Sequence, residues 1–154
     1  YPRVHILLAG SGGLRDDLEK LAARLGVGSS VEFLGMRTDV PECLSAMHCF
    51  VLPSLNEGMG RALVEAMAAA RPVVASRVGG IPAIVEDRRT GLLVPPDDAD
   101  ALAAALADVI DHPEWARTLG LAARNRIDAT FSVPAMVQAV ETVYDEALRR
   151  VGAA

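Results

Sequence analysis

Aromatic residues are scarce in this 154-residue chain, at 4%. Its core must therefore be built from Leu, Val, Ala and Ile. No apolar run reaches membrane-spanning length, which takes about 20 residues, and no stretch reads as a signal peptide. The expected setting is the cytoplasm, or the membrane periphery for a longer parent. Position 1 is Tyr rather than Met, so the chain reads as trimmed or excised. Positive charge is in deficit, with a net charge of −5. That disfavours broad binding to nucleic acid or anionic membranes. A local phosphate site stays open, because backbone amides can form one without net positive charge. Cys43 and Cys49 are the only cysteines, with no CxxC and no Cys/His cluster. Nothing in them suggests a metal, and their count suits a reducing compartment. Gly-x-Ser-x-Gly is absent, and no Ser/His/Asp order suggests itself. There is no internal repeat, low-complexity segment or interdomain linker, so a single domain over residues 1–154 is expected.

What is present is a globular composition, 51% hydrophobic and 23% charged. Residues 4–9 read as a buried strand, ending in Gly10-Ser11-Gly12-Gly13. Leu14, Leu18, Leu21, Ala22 and Leu25 then repeat with helical spacing, and Gly26 and Gly28 stop that helix. Further apolar strands are expected at 31–34, 49–52, 72–76 and 91–94. Helices are expected at 40–47, 60–70 and 81–85. Three more follow the last strand, at about 99–110, at 113–129, and from a Ser132 cap onward. Asp97 or Asp98 caps the first of these, and Pro113 and Pro134 sit in the opening turns of the other two. Strands and helices in alternation predict an α/β fold: a Rossmann-like open parallel sheet of about five strands, with helices on both faces and C-terminal helices. Such sheets bind ligands beyond the carboxyl ends of their strands. Four polar or glycine-rich turns fall there: 10–13, 35–37, 54–60 and 77–80.

The turn at 54–60 carries the most chemistry. An apolar strand runs into Pro53-Ser54-Leu55-Asn56-Glu57-Gly58-Met59-Gly60, and an apolar helix begins directly after it. Glu57 precedes the helix start. It reads either as a helix-dipole carboxylate, worth about 0.3–1 kcal/mol, or as an acceptor for sugar hydroxyls. Gly58 and Gly60 let backbone approach a ligand, and the amides of Met59, Gly60, Arg61 and Ala62 would face a phosphate. Glu65 interrupts the apolar run eight positions after Glu57. It reads either as a partner of Arg61, or exposed at the sheet edge, or as an acceptor for ligand hydroxyls. Gly10-x-Gly12 resembles part of a dinucleotide fingerprint, but Arg15 occupies the place of its third glycine. His5 reads as a packed core residue, His112 as part of a helix end, and Trp115 as a packing anchor.

With its flanks, this stretch closely resembles the C-terminal domain of family 4 (group 1) retaining glycosyltransferases of GT-B fold. The family's E-x7-E pattern appears as Glu57 and Glu65, continued by Leu63-Val64-Glu65-Ala66-Met67-Ala68-Ala69. Arg71-Pro72-Val73-Val74-Ala75-Ser76, Val78-Gly79-Gly80-Ile81-Pro82 and Thr90-Gly91-Leu92-Leu93-Val94-Pro95-Pro96 also match. The resemblance implies that Glu57 is the catalytic acid touching the transferred sugar and that Glu65 holds ribose hydroxyls. Ser54, Gly58, Met59, Gly60, Arg61, Ala62 and Leu63 would line the sugar and diphosphate. Gly35, Met36 and Arg37 would pack on the base, with Gly10 and Gly12 beside the same cleft. The implied partners are a nucleotide diphosphate-sugar donor and an acceptor hydroxyl on a glycan, lipid or small molecule, with no metal.

Two departures accompany the resemblance. The family's first β-α unit, which brings an Arg and a Lys to the pyrophosphate, has no counterpart here; Arg61, Arg77 and Arg37 are the available substitutes. Its strand is central in the family's sheet, so a gap is expected, to be closed, filled by a partner chain in a homo-oligomer, or left strained. The N-terminal acceptor domain is also absent, so a fragment without turnover is expected. Two other readings accompany this one. One is a non-catalytic binding or oligomerisation module of the same fold, and the other is a GT-B nucleotide-sugar epimerase, whose acidic signatures differ.

Overall fold

All five expected strands form, and every pairing among them is parallel. The structure, a computed structural model, describes residues 1–152. They divide into two compact units, Tyr1–Glu42 and the chain from Cys43 on. The strands do not join in one ladder. One sheet has two strands and the other has three. The expected five parallel strands are thus divided between two ladders rather than one.

The first unit holds β1 (Ile6–Ala9), α1 (Arg15–Arg24) and β2 (Val31–Gly35), with a 3-10 turn at Gly28–Ser30. β1 lies parallel to β2, and the register slips between Leu8 and Ala9 so that Ala9 meets Gly35. α1 ends in a Schellman turn: Val27 N–H donates to Ala22 O and Gly26 N–H to Ala23 O, both at 3.0 Å. The expectation of a buried first strand is not met. Ile6 and Leu8 are exposed, and so is His5, which was expected in the core. A two-stranded sheet offers few neighbours, and α1 buries only Ala22.

α2 (Val40–Ala46) crosses the boundary and leads into β3 (Phe50–Leu52), α3 (Arg61–Ala68), β4 (Val73–Ser76), α4 (Ile81–Ile84) and β5 (Leu92–Val94). Three longer helices follow: α5 (Ala99–Asp111), α6 (Pro113–Thr130) and α7 (Val133–Gly152). β4 is central between β3 and β5, and all four of its residues are buried. Val74 joins Leu92, Val94, Val109, Ala116 and Leu119 in a core shared with α5 and α6, and Trp115 packs against it as expected. Strand alternation turns Val73 and Ala75 to the opposite face. Asp98, the alternative to Asp97, caps α5 by accepting from Ala101 N–H at 2.8 Å. At the far end of α5, His112 Nδ1 donates to Asp108 O at 3.0 Å.

Arg126 ties α6 to α4. Its Nε and Nη2 donate to Ile84 O and Ala83 O, both at 2.7 Å, and Nη1 meets the Glu86 carboxylate. The last carbonyls of α4, which a short helix cannot satisfy internally, are thus capped from another element.

Neither cysteine is in a disulfide. Cys49 packs against the core of the second unit, and burial pushes its thiol up to about 12 from 9.0. At pH 8 its reactive thiolate fraction is then on the order of 10³-fold below that of an unshifted thiol. Iodoacetamide followed by peptide mass spectrometry should find Cys49 unmodified in the native chain and modified in guanidinium. Rapid native labelling of Cys49 would contradict its burial.

Candidate active site

β3 delivers the chain to the carboxyl edge of the three-stranded sheet, and a turn over residues 53–60 carries it into α3. Glu57 sits half-buried in this turn. The Ser54 hydroxyl donates to Glu57 Oε2 at 3.4 Å, which gives the carboxylate a local anchor. Gly60 is the residue before the helix, with φ +71°. A side chain there would also collide, since a Cβ would lie 2.9 Å from Ile81 Cδ1. Gly60 O accepts from Leu63 and Val64 N–H at 2.9 and 3.1 Å. No side chain caps the start of α3. The first-turn amides of Arg61 and Ala62 have no intrahelical partner, as at any helix start, which an anion site requires.

α3 is more one-sided than its composition suggests. Leu63, Ala66 and Met67 are buried, one face at i, i+3, i+4 spacing. Glu65 lies on another face, with its side chain 43% exposed, and pairs with Arg61 at 3.8 Å. Of the readings given above, pairing with Arg61 and exposure are the ones observed. The carboxylate is solvated, and its pairing with Arg61 is long, so such a bond contributes at most about 1 kcal/mol. Leu63, included above among donor-contacting residues, is a core residue. Its side chain is fully buried, and its N–H is spent on Gly60 O.

The remaining site candidates lie in the first unit, at the ends of its two strands. Gly10 N–H donates to Gly35 O at 2.8 Å, and Gly12 O accepts from Arg15 N–H at 3.4 Å. Met36 is exposed. The structure therefore brings Gly10 and Gly35 together in one unit, and Ser54, Glu57–Gly60, Arg61, Ala62 and Glu65 together in the other.

The three arginines differ in their commitments. Arg37 is held by Asp39 through two hydrogen bonds, and its guanidinium keeps the Asp39 carboxyl below the usual carboxylate range. Arg77 Nη2 donates to Asp87 at 2.6 Å, while the other Asp87 oxygen accepts from Leu93 N–H. Arg61 is 84% exposed and, among the described residues, has only the long contact with Glu65. Of the three, Arg61 is the guanidinium that an incoming phosphate can recruit with the least competition.

Sequence reasoning placed Gly79 and Gly80 at the correct edge but gave them no part in the site. Gly80 N–H donates to Gly58 O at 3.0 Å and approaches Glu57 O at 3.4 Å. The pair Val78-Gly79-Gly80-Ile81 at the end of an adjacent parallel strand was the available signal. Among the described residues, no three or more His, Cys, Asp and Glu side chains are grouped as metal ligands. None of the described helices is long and apolar enough to cross a membrane.

Known proteins share both sequence and fold with this chain. A D-inositol 3-phosphate glycosyltransferase from Streptomyces avermitilis is 37% identical over 145 residues, 92% of this chain and 31% of that protein. The chain thus spans about a third of the length of this curated relative. Anabaena Alr3699/HepE, solved with UDP, superposes with a TM-score of 0.87 at 31% identity, over 94% of this chain and 42% of that one. The same protein solved with UDP-glucose gives 0.86. The C-terminal domain of a group 1 glycosyl transferase, LpcC from Francisella tularensis, shares the fold with a TM-score of 0.79 at 24% identity. That match covers 86% of this chain and 72% of that one. Residues 1–112 match the family model described as Glycosyl transferases group 1, and the chain belongs to that family.

Proposed function

We propose that this chain is the donor-binding part of a retaining glycosyltransferase, which moves a sugar from a nucleoside diphosphate-sugar to an acceptor hydroxyl. The observation that carries this is the arrangement after β3. Glu57, anchored by Ser54, precedes an uncapped helix start, and a solvated Glu65 lies on the same helix as Arg61. Structures of the relative HepE hold UDP and UDP-glucose, which supports a donor of this class. Transfer breaks the bond between the anomeric carbon and the diphosphate oxygen, which leaves with the electron pair. The acceptor oxygen bonds to that carbon and releases its proton.

In this reading Glu57 touches the transferred sugar and Glu65 accepts from ribose hydroxyls. The amides of residues 59–62 at the start of α3, with Arg61, take up charge on the diphosphate without a metal. Two cysteines without a disulfide suit a reducing, cytoplasmic setting. Residues 1–154 alone, a third of the relative's length, should bind donor weakly and not turn over. Appreciable transfer by the isolated chain would overturn this.

Glu65→Ala in the full-length parent tests the nucleotide role. Loss of hydrogen bonds to a charged acceptor is worth about 1.5–3 kcal/mol, or roughly 10- to 150-fold in Kd. Calorimetry with UDP, GDP and ADP should show that loss for the base that binds wild type. An unchanged Kd would remove Glu65 from the site.

A further inference from the structure

We infer that Gly79 and Gly80 are positioning residues for Glu57: their bare backbone is the backstop that sets where the Glu57 carboxylate stands. This rests on the donor-site reading above and adds the element that holds its catalytic group. β3 and β4 are paired, with Leu52 opposite Ala75, so the turns that follow them leave the same sheet edge side by side. The contact between those turns is backbone on backbone. Gly80 N–H donates to Gly58 O at 3.0 Å. A Cβ on Gly80 would stand 2.2 Å from that same oxygen, and a Cβ on Gly79 would stand 1.8 Å from Glu57 O. Neither obstacle is the end of a flexible side chain. Any side chain must part the Glu57–Gly58 peptide from residues 79–80 by more than 1 Å to reach an ordinary contact distance.

The rest of the site need not follow that movement. α3 is fixed separately, by buried Leu63, Ala66 and Met67 and by the fit of Gly60 against Ile81 and Leu52. Glu65 and the helix-start amides stay with α3. A side chain at position 79 or 80 therefore displaces the sugar-contacting carboxylate and spares nucleotide binding. Misplacement of a reacting group by about 1 Å costs on the order of 10²-fold in rate.

A purely conformational role makes a different prediction. Gly79 has φ +50°, a region that Asn tolerates far better than Ala. Were φ the whole reason for glycine, Gly79→Asn would retain activity and Gly79→Ala would lose it. Clearance for Glu57 predicts that both fall alike.

The test uses the full-length enzyme and measures release of nucleoside diphosphate from UDP-, GDP- and ADP-glucose, water standing in for the acceptor. Gly79→Asn, Gly79→Ala and Gly80→Ala should each lose at least 10-fold in kcat, with the Kd of the matching nucleoside diphosphate within about 3-fold of wild type. Gly91→Ala is the control for lost stability. Its Cβ would press on Val73 Cγ2 at 2.4 Å, at the start of β5 and the opposite edge of the sheet. It should lower Tm and keep kcat. Gly80 has ordinary helical φ, so Gly80→Ala carries the test if the Gly79 variants fail to fold. Wild-type kcat in Gly80→Ala, or Asn at 79 restoring kcat, overturns the inference. Equal loss of kcat in Gly91→Ala at matched Tm overturns it too. Glu57→Gln with wild-type kcat instead sinks the underlying reading, which separates the two failures.

Discussion

Glu57→Gln in the full-length enzyme is expected to lower kcat by roughly 10²–10³-fold, about 3–4 kcal/mol, the loss seen when one preorganised electrostatic group is removed from a reacting centre. The substitution keeps the length of the side chain and its acceptor for the Ser54 hydroxyl. It removes only the negative charge. Glu57 is half-buried in a turn and supports no packed core, so Tm should change by no more than a degree or two. UDP, GDP or ADP affinity, which the proposed reading assigns to α3, should hold. Steady-state kinetics beside calorimetry reads the split directly. A loss confined to KM would make Glu57 a binding group, and wild-type kinetics would remove it from the site.

Why was this carboxylate legible in the sequence when its support was not? Glu57 stands out because it lies between an apolar strand and an apolar helix, in a turn with two glycines. That pattern is local. The support comes from residues 79 and 80, more than twenty positions further on, and acts through backbone atoms rather than side chains. A glycine pair at a strand end announces only that a side chain is unwelcome. What it makes room for emerges when β3 and β4 pair. The sequence left the environment of Glu65 open for a related reason, and the structure selects pairing with Arg61 and exposure. Apolar residues run around the whole of 62–70, but the sheet and α6 bury the Leu63, Ala66 and Met67 face.

The fold shows the same division. Element order, strand positions and the caps at Asp98 and Ser132 follow from apolar runs and turn residues, and each formed close to its expected place. Whether parallel strands join one ladder depends on which strands lie next to one another, and periodicity says nothing of neighbours. β1 has the apolar character of an interior strand, yet it pairs only with β2 and stays exposed. β4 has the same character and is buried throughout, because β3, β5 and the helices around them are present.

Helix propensity and packing make opposite predictions at Gly120, and packing should win. Gly120 lies inside α6, where Ala is preferred over Gly by about 1 kcal/mol. On propensity alone, Gly120→Ala stabilises. A Cβ at 120, however, would stand 2.2 Å from Ala70 O and 2.9 Å from Ala70 C. That carbonyl cannot swing aside. Ala70 occupies the left-handed position of a Schellman turn ending α3, with its N–H bonded to Met67 O and Arg71 N–H bonded to Ala66 O. Arg71 Nη1 in turn holds Met47 O at 3.0 Å. The same turn after α1 uses Gly26, so Ala70 already carries left-handed strain of roughly 1–2 kcal/mol. The helix must therefore move away from α3, and overpacking of this kind costs about 1–3 kcal/mol or more. Because the obstacle is backbone, the upper end applies, and the net loss after propensity is about 2 kcal/mol. For a chain of this size that lowers Tm by roughly 4–8 °C. Gly120→Val, with two further methyls and less helix propensity, should lose more. Ala70→Gly should move the other way, by up to about 1 kcal/mol, since it relieves the strained position without touching the contact. Thermal unfolding of the three variants decides the matter: a raised Tm in Gly120→Ala would mean that the α3 and α6 backbones do not meet at this carbonyl.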